Sequence, residues 1–267
     1  MSLVIFSHGN SFPASTYGVL TASLKKRGYS VKSIEKLGHD PAYPVTNNWP
    51  HMVQQLADFT EQSANKAGES AYLVGHSLGG ILSVMCAARH PEHIRGVVLL
   101  DAPVIGGWRA STLGAVKSTN LVGRVSPGAV SQGRKTSWES VDAAYAHFKT
   151  KRAFALWDDQ MLRDYVTLGT QDKDGKRVLS FNRDIETQIY NTLPSNIEAL
   201  LRRHPLKCPV AFIGGLQSEE MKRVGIALTE KVTKGRMQWL EGTHLFPMEK
   251  PLAAAAAVEA AIRGFES

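Results

Sequence analysis

A glycine-flanked serine, in Gly75-His76-Ser77-Leu78-Gly79-Gly80, follows the apolar run Ala71-Tyr72-Leu73-Val74 and opens an apolar stretch from Leu78 to His90. This is the G-x-S-x-G pattern in the context it needs: a strand delivers the serine onto a sharp turn that starts a helix. The chemistry is nucleophilic. The turn holds Ser77 in a strained conformation that pushes its hydroxyl above the sheet, and side chains at Gly75 or Gly79 would collide where strand and helix approach. A plain glycine-rich turn accounts for the glycines but not for their place between a strand and a helix.

A serine hydroxyl is a weak nucleophile at neutral pH and needs a base to take its proton, usually a histidine. Nine histidines must be sorted. His76 faces away from the serine, His90 and His93 flank a proline loop, and His39, His51, His147 and His204 lie in polar or peripheral contexts. His244, in Glu241-Gly242-Thr243-His244-Leu245-Phe246-Pro247, follows the last strand and precedes the final helix, so its loop opens on the same sheet edge as Ser77. Charge developing on an attacked carbonyl oxygen calls for preorganised N–H donors. Leu78 N–H, at the start of a helix whose dipole favours negative charge, is one candidate. The loop His8-Gly9-Asn10-Ser11 after the first strand supplies the other, Asn10 N–H first and Gly9 next.

These residues need elements to carry them. Leu3-Val4-Ile5-Phe6, Tyr29 to Ile34, Ala71 to Val74 and Val97 to Leu100 read as strands buried on both faces. Helical stretches alternate with them, the signature of a parallel sheet covered on both sides. The alternation stops at Ala102 and resumes at Pro209-Val210-Ala211-Phe212-Ile213, with a helix near Ser218 to Val232, a strand at Met237 to Leu240 and a last helix from Pro251 to Gly264. The section between, with helix-like pieces around Val141 to Phe154, Asp158 to Leu168 and Ile185 to Leu201, reads as a mostly helical insertion seated on the carboxyl edge of the sheet.

Through His8 to Asn10, GHSLGG at Gly75 to Gly80 and GTHLFPMEKP at Gly242 to Pro251, the chain resembles the α/β-hydrolase superfamily, serine esterase-like and capped. The resemblance implies an α/β fold with a mostly parallel sheet of about six strands, lacking the family's first two. It implies a core of residues 1–101 and 207–267 and a helical cap over 102–206. It also implies an acid behind the histidine, usually in a G-x-x-D loop after the penultimate strand. Here that loop reads Gly215-Leu216-Gln217-Ser218, with serine at the aspartate position and Glu219 and Glu220 following. Some members place the acid instead at the end of the strand after the elbow strand, where this chain has Asp101. Asp101 is the expected acid, with Glu219 or Glu220 as alternatives.

Composition narrows the field. A chain of 267 residues with 43% hydrophobic and 21% charged residues is ordinary for a globular protein, long enough to need no disulfide from Cys86 and Cys208. The net charge of +7 is spread in short clusters without interleaved aromatics, which argues against a nucleic-acid partner. No run nears the roughly 18 apolar residues of a membrane span, and no export signal precedes the first strand, so a cytoplasmic location is expected. The cap aromatics Trp108, Trp138, Tyr145, Phe148, Phe154, Trp157, Tyr165, Phe181 and Tyr190 are not enriched over the rest of the chain and read as packing. There is no zinc-ligand cluster, phosphate-binding glycine loop or dinucleotide fingerprint, so no cofactor and no metal is implied. The expected activity is acyl transfer from a small-molecule ester to water, with the oligomeric state open. Thioesters, lactones and C–C bonds of diketones suit the same groups, and a fold retained for ligand binding without turnover is the reading from another class.

Overall fold

The first apolar run forms strand β1 (Ser2–Ser7), one strand in from the edge of a parallel sheet. Beside it lie β2 (Tyr29–Ser33), β3 (Ala71–His76), β4 (Ile94–Leu100), β8 (Val210–Gly215) and β9 (Met237–Leu240). The order is β2-β1-β3-β4-β8-β9, every neighbour parallel. The computed structural model describes residues 1–104, 106 and 127–266.

Strand side chains alternate between faces, and the apolar runs feed two cores at once. Leu3, Ile5, Leu73, Val97, Leu99 and Phe212 join the cluster that includes Met52 and Leu56 of helix α2 (Pro50–Ala67) and Leu82 and Met85 of α3 (Leu78–Arg89). Val4, Phe6, Val74, Val98, Leu100 and Ile213 join the other, with Leu20 and Leu24 of α1 (Gly18–Lys26) and Ala254, Val258 and Ile262 of the helix Pro251–Glu266. Each fully buried side chain of this size contributes about 1.5–3 kcal/mol. The sheet is therefore rigid where it must hold a site: the loops after β1, β3, β4, β8 and β9 all leave the same edge.

The section expected as a helical insertion contains the helices Pro127–Gln132, Val141–Lys149, Asp159–Leu168, Arg183–Asn191 and Ile197–Arg203. It also holds a three-stranded antiparallel sheet of β5 (Ser137–Trp138), β6 (Thr170–Lys173) and β7 (Lys176–Leu179), in the order β5-β7-β6. The β6–β7 turn is Asp174-Gly175 with φ of 51° and 74°. That two-residue hairpin is a strong short-range signal, but the polar strand Thr-Gln-Asp-Lys masks it. The helices start where side chains cap them: Ser140, Asp158 and Asn182 each accept from the first turn. The single helix expected over Ser218 to Val232 is two, Glu219–Val224 and Ala227–Thr233, interrupted at Gly225, whose φ is 79°. Of the cap aromatics, Trp108 lies outside the described residues. Phe148, Phe154, Trp157 and Tyr165 pack edge-on or tilted against one another, with centroids 4.8–5.7 Å apart. Among the described residues no helix is long and apolar enough to cross a membrane.

The elbow is where packing and site meet. A Cβ on Gly79 would stand 2.1 Å from the Ser7 carbonyl oxygen, and one on Gly75 2.3 Å from the Gly79 backbone. Both obstacles are backbone and cannot swing away. Gly79→Ala is expected to destabilise the fold by roughly 3 kcal/mol or more, read as a lowered denaturant midpoint; a wild-type midpoint would show that α3 can shift off β1.

Candidate active site

Ser77 adopts φ 51° and ψ −115°, a sparsely populated combination for a residue with a side chain. Hydrogen bonds hold it there: its N–H donates to the Leu100 carbonyl at 3.0 Å, and its own carbonyl accepts from Gly80 at 3.0 Å and Ile81 at 3.2 Å. Gly80 has its own reason to be glycine, since a Cβ would lie 2.3 Å from the Ala102 Cβ. The residue before Ala102 is Asp101, so this third glycine, just after the G-x-S-x-G pattern, lets the elbow pack against the turn that bears the carboxylate.

Asp101 is fully buried and carries φ 43°. Its N–H donates to the Ile213 carbonyl at 2.8 Å, which fixes the turn to the neighbouring strand. Its carboxylate accepts three hydrogen bonds: Gly215 N–H at 2.7 Å on Oδ1, Ser218 Oγ–H at 2.5 Å on Oδ2 and His244 Nδ1–H at 2.7 Å on Oδ2. The proton on Nδ1 leaves His244 Nε2 an acceptor, and Ser77 Oγ stands 3.0 Å from it. Burial would raise the Asp101 pKa, but the hydrogen bond and charge of His244, helped by Gly215 and Ser218, hold it below the usual carboxylate range. Burial would lower the His244 pKa, but Asp101 outweighs it and the imidazole titrates above its ordinary value.

The sequence signals find Ser77, His244 and Asp101 and miss what locks them. Ser218, noted only as a missing aspartate, caps the helix Glu219–Val224 and donates to Asp101 with the same hydroxyl. Glu249, the last residue of the short helix Phe246–Glu249, accepts Thr243 N–H at 2.8 Å and Thr243 Oγ1–H at 2.5 Å. Gln217 Oε1 accepts Gly242 N–H at 2.5 Å. Gly215 lets this loop approach, because a Cβ there would be 2.4 Å from the Thr243 carbonyl oxygen.

A second buried network joins three loops from beneath. Gly9 N–H donates to the Tyr17 hydroxyl at 3.0 Å, Tyr17 O–H donates to His76 Nδ1 at 2.7 Å, and His76 Nε2–H donates to the His244 carbonyl at 2.9 Å. His76 thus faces away from Ser77 yet holds the backbone of His244. Burial, then the nearby His244, pushes its pKa down to about 3, so it remains a neutral link. His8 is likewise neutral, pushed to about 4 by burial, and accepts Leu37 N–H at 2.8 Å.

Of the other candidates, Asn10 and Leu78 are buried on either side of the elbow. Glu219 pairs with Lys222 at 2.6 Å. Glu220 has a carboxylate oxygen within 4.8 Å of the Asp101 and His244 ligand atoms and adds to the field on the imidazole without bonding to it. Asp101, Glu220 and His244 are the trio among the described residues with metal-ligand spacing. A cation there would have to break the Asp101–His244 hydrogen bond, so the donor set does not fit a resident metal. Cys86 and Cys208 are free thiols.

A parallel sheet with a serine elbow after its third strand, in sequence order, defines an α/β-hydrolase fold. A solved E-2-(acetamidomethylene)succinate hydrolase superposes with a TM-score of 0.76 at 22% identity, covering 98% of this chain and 91% of that one. The family model for serine aminopeptidase S33 matches residues 1–154, and the chain belongs to that family. Curated relatives include a Mycobacterium phage D29 protein described as a non-heme haloperoxidase, 30% identical over 37% of this chain and 35% of its own length. Another is the monoglyceride lipase of Rattus norvegicus, 26% identical over 50% of this chain and 45% of its own length. The chain thus matches less than half the length of these relatives.

Removing the Tyr17 hydroxyl would leave both Gly9 N–H and His76 Nδ1 buried without a partner. Tyr17→Phe is expected to cost about 1–3 kcal/mol, measured by urea unfolding; an unchanged stability would show that the network rearranges around the missing oxygen.

Proposed function

We propose that this chain hydrolyses a carboxylic ester of a small molecule through an acyl-enzyme. The observation that carries the reading is the continuous hydrogen-bonded run from Ser77 Oγ through His244 to the buried Asp101. In the first half-reaction Ser77 Oγ bonds to the ester carbonyl carbon while its proton passes to His244 Nε2. The tetrahedral intermediate then collapses: the alkoxy group leaves with that proton, and the acyl group stays on Ser77. In the second half a water gives its proton to His244 and attacks the acyl carbon, and Ser77 Oγ departs reprotonated. Asp101 keeps the imidazole in the right tautomer and stabilises the imidazolium formed in both halves.

The oxyanion is met by Leu78 N–H and Asn10 N–H. Neither donates to a protein acceptor among the described residues, and Leu78 opens α3 with the positive end of the helix dipole. The main described part of the expected insertion, residues 127–206, acts as the cap above this edge. The monoglyceride lipase relative supports an ester as the substrate class.

A fluorophosphonate probe is expected to label the wild type on Ser77 and to leave Ser77→Ala unlabelled, with p-nitrophenyl ester hydrolysis lost in parallel. A folded wild type that neither labels nor turns over would sink the reading. Protonated His244 cannot accept the serine proton, so kcat/KM should fall as pH drops through a pKa above the ordinary 6.5. Asp101→Asn removes what raises that pKa, so it should shift the acid limb to lower pH and reduce kcat by about 10⁴. An acid limb unmoved by that substitution would show that another carboxylate serves His244.

A further inference from the structure

The loop that carries the proposed second oxyanion donor is held from two sides. From the core, Gly9 N–H is tied to Tyr17. From the cap section, Ser11, at φ 76°, donates its hydroxyl to Glu186 Oε1, and Asn10 Nδ2 donates to the Glu186 backbone carbonyl at 3.1 Å. Glu186 lies on the helix Arg183–Asn191 and is buried, 4% exposed. Arg134 compensates its charge: Nη1 stands 2.9 and 3.0 Å from the two carboxylate oxygens, and Nη2 donates to the Tyr165 hydroxyl at 3.0 Å. Phe12, next in the loop, packs on that same Tyr165 ring with centroids 5.4 Å apart. Asn10, Ser11 and Phe12 therefore all rest on one cluster.

A buried ion pair is an expensive way to fill space, because an apolar pair of similar volume avoids the desolvation. What Glu186 supplies and an apolar side chain cannot is an acceptor for the loop. We infer that Glu186, steadied by Arg134, is a positioning residue that sets Asn10 N–H at the oxyanion, so that the cap section preorganises part of the hole. Glu186 touches no reacting atom. This inference rests on the acyl-enzyme reading above.

A donor displaced rather than deleted should lose part of the 10²–10³ that an oxyanion donor is worth, in kcat rather than in KM. Two variants separate this from plain packing. Glu186→Met with Arg134→Met removes the pair as a unit and leaves no unpaired charge. Ser11→Ala keeps the ion pair and cuts one tether, so it decides the matter if the double variant fails to fold. The readouts are kcat and KM on a p-nitrophenyl ester and the Ki of a trifluoromethyl ketone, whose serine adduct carries the oxyanion. The double variant is expected to lose roughly 10- to 100-fold in kcat and Ser11→Ala about tenfold, with KM nearly unchanged and Ki rising by the same factor. Wild-type kcat and Ki in a folded variant, or a loss confined to KM, would overturn the inference. A wild type that neither hydrolyses the ester nor binds the ketone would instead overturn the hydrolase reading beneath it.

Discussion

The site depends on a carboxylate with no contact to water. A bare charge in the interior is prohibitively costly, and Asp101 is tolerated there only because Gly215, Ser218 and His244 each supply a donor. Those donors come from the end of β8, from the cap of the following helix and from the loop after β9. One desolvated group thus draws three segments, far apart in the chain, to a single point. Removing any donor leaves the charge under-compensated, so position and stability are coupled here rather than independent.

The backbone accepts strain to achieve this. Ser77 and Asp101 both sit at positive φ without being glycine, at the ends of adjacent strands, and each is fastened by a hydrogen bond across the sheet. The glycines around them are consequences of close approach: Gly79 against Ser7, Gly80 against Ala102, Gly215 against the loop of His244. Five strand ends meet at distances that leave no room for a Cβ. In the proposed reaction this crowding preorganises the groups, since they have little space in which to move away.

Polar links rather than apolar contacts join the loops to one another. Tyr17 and His76 connect the loop after β1 to the elbow and to the backbone of His244, while Glu186 and Arg134 grip the same first loop from the opposite side. Burial keeps His76 neutral, so this network carries no charge that would compete with His244 for the field of Asp101.

How much of this was legible in the sequence follows from the range of each interaction. Ser77 and its glycines are readable because an elbow is a local conformation, and the apolar runs of β1, β3, β4 and β8 declare a parallel sheet because both of their faces are buried. His244 is readable from its order after the last strand. Asp101 stood among three carboxylates, since strand order alone says which loops share an edge but not which oxygen reaches Nδ1. The β5-β7-β6 sheet hid behind polar strands, and Gly225 divided what periodicity read as one helix. Tyr17, Glu186 and Arg134 lie in no motif, and Ser218, His76 and Glu249 sit in quoted segments that say nothing of their hydrogen-bond partners. Their partners lie elsewhere in the chain or across a turn whose shape is set by packing, and a hydrogen bond between distant residues leaves no periodicity to read. Sequence by itself determined the fold class, the serine elbow and the loop that carries His244. Only the tertiary structure decided which carboxylate faces that imidazole and what holds the loops in register, because both depend on distances of a few ångströms between segments whose separation along the chain is unrelated to their separation in space.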